Sequence, residues 1–224
     1  MTLGEQNFNR QRPSGRVIDT AVNSVETVGD FLLARSFDTL VDTNPALGQI
    51  WARVEGLTRL SKRGVGNKST SKITLGAGIA LHIIQEQMGK ERMSQIEVSQ
   101  DDLNRAEDTG FLLFLPDELK PQKKERYLEP VLTDEEIVQR MPTLEDTFFV
   151  AQAGPETQAK TIALYKEALK SFNPLVADVM DRYISKRQLT SSQKGDLLLG
   201  SFEVVNILYH NSTYQQLTQM SLNG

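Results

Sequence analysis

SKRGVGNKSTSKITLGAGIALHII runs from Ser61 to Ile84 and admits two architectures. If its glycines cradle a phosphate between a strand and a helix, the chain belongs to the α/β class. If they merely join or pack helices, the chain is all-α. A P-loop requires a glycine directly before its lysine, so that successive backbone N–H groups curl around the phosphates. Here Asn67 precedes Lys68, Lys62 stands where the first glycine belongs, and the preceding Ile50 to Leu60 reads as helix rather than strand.

The dinucleotide fingerprint fits better. Ile73 to Leu75 would be the strand, Gly76 and Gly78 the first two glycines, Ile79 onward the helix, and Glu97 the acidic residue for a ribose. Leu81 occupies the third glycine position, however, and its side chain would hold the helix away from the strand. A dinucleotide-binding enzyme using Gly76 and Gly78 is therefore the third-ranked reading. The favoured one is a turn followed by a helix whose small residues allow close packing.

Helical signals recur on both sides of this stretch. Ile18, Ala21, Val22, Val25, Val28 and Leu32 follow the spacing of one helical face. Asn44 before Pro45 marks a helix start, and Leu47, Ile50, Trp51, Val54 and Leu57 continue at helical spacing, which predicts a buried Trp51. Ile79, Ala80, Ile83, Ile84 and Met88 form another stripe, closed by Gly89. Further starts are signalled by Ser99 with Asp102, Thr133 with Glu136, Gly154 with Pro155, Asn173 with Pro174, and Thr190 with Gln193. In the last long helix Leu198, Phe202, Val205 and Tyr209 are expected to bury one face.

The expected fold is all-α, made of helical bundle-like units, with two short strands in the middle segment formed by QIEV and by FLLFL, residues 111 to 115. The expected organisation is a flexible polar arm at 1–16, a helical unit at 17–90, an irregular connection at 91–130 and a second helical unit at 131–224.

Composition narrows the chemistry. The chain of 224 residues has no cysteine, so disulfides, thiolate nucleophiles and zinc ribbons are excluded. His82 and His210 stand alone in predicted helices, where packing or hydrogen bonding is the usual role of a histidine. The acidic pairs Asp101–Asp102, Glu135–Glu136 and Glu145–Asp146 sit in expected first helical turns, where negative charge suits the dipole. The pattern nominates no catalytic residue, no cofactor and no metal ligand set.

The net charge of −4 points to no partner, but its distribution is uneven. Between Glu55 and Glu86 there is no acidic residue, while Arg59, Lys62, Arg63, Lys68 and Lys72 are all present. That cluster is the candidate polyanion-binding site, for nucleic acid or another phosphate-bearing partner; having no aromatic residue, it favours backbone contact over base stacking. The leading functional expectation is a non-enzymatic interaction or assembly protein with a protein partner or self-association, and the alternative is polyanion binding through residues 59–72. The absence of a signal-like apolar core near Met1, and of any run of membrane-spanning length, leads to the expectation of a cytoplasmic protein without membrane insertion.

Overall fold

The computed structural model of the chain describes residues 13–30, 32–34, 47–50, 52–55, 57, 70–114 and 154–222. Of these, 87% are helical and none is in a strand, so the fold is all-α. The helices are α1 (Gly15–Val28), α2 (Thr70–Met88), α3 (Lys90–Met93), α4 (Gln100–Phe114), α5 (Pro155–Phe172), α6 (Pro174–Ser185), α7 (Ser191–His210) and α8 (Ser212–Leu222). Helical residues also occur at 30, 32–34 and within 47–57.

Several boundaries follow local side-chain chemistry. Asn173 accepts from the Val176 N–H at 3.1 Å and Pro174 opens α6. Thr190 and Gln193 form the complete reciprocal box at the start of α7. Ser99 and Asp102 do the same for α4: the Ser99 N–H donates to Asp102 Oδ2 at 2.8 Å, and the Asp102 N–H donates to Ser99 Oγ at 3.2 Å. Gly89, at φ 81°, ends α2 in a conformation that favours glycine.

α7 is the centre of the molecule. It packs against α2 most extensively, then against α5 and α4. Every residue from Gly195 to Leu208 is buried, so the expectation of one apolar face is corrected: α7 is covered on all sides. Several of its polar side chains are tied to neighbouring elements. Asn206 Nδ2 donates to the Ala106 carbonyl of α4 at 2.7 Å. Glu203 faces Arg53, whose Nε lies 3.5 Å from Oε2, and burial raises the carboxyl's pKa against the pull of that guanidinium.

The crossing of α2 and α7 depends on glycine. A Cβ built on Gly76 would stand 2.0 Å from the Leu197 carbonyl oxygen, and one on Gly200 would stand 1.9 Å from that of Ile73. The backbones touch reciprocally, and the Ser201 hydroxyl bridges them, 2.8 Å from the Gly76 carbonyl oxygen. On another side of α2, Gly78 lies against the backbone of Leu33 in the same way.

Three expectations change. α2 begins at Thr70 rather than at Ile79, which places Ile73 to Leu75 inside a helix and both glycines in its buried interior. The dinucleotide fingerprint thus loses its strand and its open phosphate cradle. The expected strands are absent among the described residues: residues 96–99 form a connection, and Phe111 to Phe114 continue α4. Near the amino end, Gly29 at φ 78° breaks the helical stripe, so Leu33 is buried while Leu32 is 56% exposed. Leu47, Ile50, Val54 and Leu57 are buried as expected. Trp51, the Thr133–Glu136 box and the acidic pairs Glu135–Glu136 and Glu145–Asp146 lie outside the described residues. No helix among the described residues is long and apolar enough to cross a membrane.

Candidate interaction groove

α1 presents two adjacent stripes. Ile18, Val22 and Val25 face the core. Beside them Val17, Thr20, Ala21 and Ser24, at i, i+3, i+4 and i+7, line one wall of a groove of about 360 Å³. His82, Ile83, Glu86 and Gln87 of α2 form the facing wall, Leu175 of α6 completes the lining, and Arg16 stands at the start of α1. The helix is oriented by its cap: Ser14 accepts from the Val17 N–H at 3.4 Å.

Polar ties join the elements around the groove. Ser24 Oγ and His82 Nε2 are 2.6 Å apart and join the two walls. Burial pushes the His82 pKa down, with Glu86 opposing, so the ring is neutral at neutral pH. A serine beside a neutral imidazole is also the geometry of an activated nucleophile. Acyl transfer further needs preorganised donors where an oxyanion develops, and the backbone N–H groups around Ser24, in mid-helix, already serve the carbonyls of α1. The pair joins α1 to α2. Gln87 is tied further on: Asn173 Nδ2 lies 3.5 Å from Gln87 Oε1 and 3.4 Å from Tyr214 Oη.

α1 is fastened to α6 by opposite charges. Asp19 pairs with Arg182, Glu26 with Lys186 at 3.0 Å, and Asp30 with Arg187 at 3.7 Å. The Tyr183 hydroxyl donates to Asp30, and the Arg187 guanidinium stacks over the Tyr183 ring. All the acids of this seam belong to α1 and the residues just after it, all the bases to α6 and its end. Arg16 and Glu86, on opposite walls of the groove, take no part in any ion pair among the described residues.

Of the basic cluster expected from the sequence, Arg59, Lys62, Arg63 and Lys68 lie outside the described residues. Lys72 is half-buried in the first turn of α2, inside a helix rather than in a loop. It stands ten residues before His82, about 15 Å along the helix axis from the groove. His82 and His210 are both hydrogen-bonded, as expected of lone helical histidines. The groove itself was not legible: Val17, Thr20 and Ser24 carry no motif, and only a second stripe beside the core face of α1 hints at a second contact. No family model, curated protein or solved structure matches the chain.

Proposed function

We propose that this chain is a non-enzymatic helical interaction protein that docks apolar side chains of a protein partner in the groove between α1, α2 and α6. The supporting observation is the groove's character: largely apolar walls, a lining that includes the charges Arg16 and Glu86, which form no ion pair among the described residues, and Val17, a large apolar side chain left 48% exposed. A photoreactive phenylalanine at position 17 should capture a discrete partner in cells, while the same probe at exposed Ala163 of α5 should not. Ala21→Phe, which fills the groove, should suppress capture with the helical circular dichroism unchanged. Equal capture from both positions, or capture indifferent to Ala21→Phe, would contradict the docking role.

Polyanion binding is the second reading, supported by the run of five cations from Arg59 to Lys72 without an intervening acid. The logarithm of affinity for duplex DNA should then fall with log salt at a slope of roughly −3 to −4, weakened by about 2 in the Lys62→Ala, Lys68→Ala double variant. Absence of binding at low salt would eliminate it.

A further inference from the structure

We infer, building on the docking role proposed above, that the groove's occupant is a second copy of this chain, with the two grooves facing each other across a twofold axis. A twofold contact uses one patch twice, so that patch must complement itself: whatever residue i meets on the partner, the partner's i meets here. The groove meets this condition in shape. Val17, 48% exposed, lines an apolar hollow whose α1 wall continues with the short side chains Thr20, Ala21 and Ser24. Two such walls can approach closely while each valine enters the opposite hollow. Among the described residues Val17 and Leu32 are the large apolar side chains left exposed, and Val17 is the one beside a hollow that fits it.

The groove meets the condition in charge as well. Arg16 lies on the α1 side and Glu86 on the α2 side, and neither has an opposite charge paired with it among the described residues. This contrasts with the α1–α6 seam, where Asp19, Glu26 and Asp30 are all matched. A twofold axis running between the walls carries Arg16 of one copy to Glu86 of the other, and the reverse, giving two pairs for one symmetric contact. Exposed pairs add little affinity, but like charges set against each other cost enough to choose the partner. The patch is small, so the dissociation constant belongs in roughly the micromolar range, far from an obligate dimer.

The test is sedimentation velocity on the full chain from about 1 to 500 µM, the range in which a small interface is half-populated. Wild type should pass from monomer to dimer. Arg16→Glu and Glu86→Arg should each weaken dimerisation at least about tenfold, because each homodimer then holds two like-charge contacts. Lys160→Glu, the same charge change at an exposed position of α5, should leave it unaltered. An equimolar mixture of Arg16→Glu with Glu86→Arg should regain the dimer: one contact then pairs the two reversed charges, and the other pairs native Arg16 with native Glu86. A mixture that stays monomeric, or single variants that dimerise like wild type, would overturn the twofold contact. Monomeric wild type together with capture of a different protein by the position-17 probe would reject self-association and keep the docking role. Monomeric wild type without groove-dependent capture would reject both.

Discussion

His210 shows how one hydroxyl settles a tautomer and a pH dependence. Its Nε2 lies 2.8 Å from Thr109 Oγ1, and that hydroxyl donates its single proton to the Arg105 carbonyl at 2.9 Å. Thr109 must therefore accept from His210, which places the imidazole proton on Nε2. Burial pushes the ring's pKa down from 6.5 to about 4, and Arg105 adds to the effect against Asp102. Because the folded-state value lies below the unfolded one, the unfolded chain takes up the proton first as the pH falls. The stability of the neutral ring is complete above about pH 6.5, declines through the acid range and levels off near pH 4, where the folded ring protonates too. Discounted for the ring's partial exposure, the loss is on the order of 1–2 kcal/mol. His210→Gln keeps an amide donor for Thr109 and does not titrate. Wild type should therefore lose about that amount relative to the variant between pH 7.5 and 4.5 in urea unfolding, with His82 and Glu203 common to both and cancelling. A difference that does not change with pH would contradict the buried neutral ring.

At the scale of elements, the sequence is most legible where structure is local. The Asn173, Thr190 and Ser99 caps form from partners three residues away, so their spacing alone announces them. α2 is the instructive exception. By local preference Gly76 and Gly78 are helix breakers, and the apolar stripe legible in the sequence begins only after them, at Ile79. What keeps them helical is tertiary contact with Leu197 and Leu33, which no short window of sequence contains. The same reason hid the groove, whose walls are 58 positions apart at the Ser24–His82 tie. The glycine contacts carry a direct prediction. Gly200→Ala and Gly76→Ala would force a Cβ onto backbone atoms that have no rotamer with which to yield, so each should destabilise by about 3 kcal/mol or more, well beyond the helical gain of about 1 kcal/mol. Gly110→Ala in α4 is the counterpart: its Cβ would meet Phe202 Cε1 at an ordinary 3.9 Å, so helix propensity should raise stability by up to about 1 kcal/mol. Equal effects of the three substitutions in urea unfolding would contradict the close crossing of α2 and α7.

For the whole molecule, one cluster of buried apolar side chains reaches from Ile18 to Leu208, yet the helices do not share it equally. α7 is enclosed from Gly195 to Leu208 and cannot open without parting from α2, α4 and α5 together. α1 buries Ile18, Val22 and Val25 along one edge and is also held by the Ser24–His82 tie and by the ion pairs to α6, most of whose side chains are substantially exposed. Such pairs are worth about 0–1 kcal/mol each and are screened by salt, whereas the enclosure of α7 is apolar and is not. Two levels of opening follow, a local release of α1 and a global unfolding that frees α7. Native-state hydrogen exchange should therefore give Leu198 to Ile207 the free energy and denaturant dependence of global unfolding, and Ile18 to Val25 a smaller value of each. Raising NaCl from about 0.1 to 1 M should speed exchange in α1 by roughly five-fold, the equivalent of about 1 kcal/mol spread over the seam, and leave α7 almost unchanged. Release of α1 also dismantles the groove wall bearing Val17 and Arg16, so any partner docked there must slow exchange in α1 selectively, by linkage of binding to the closed state. Uniform exchange across α1 and α7, insensitive to salt, would mean that the amino-terminal helix opens only with the core and that the seam does not control it.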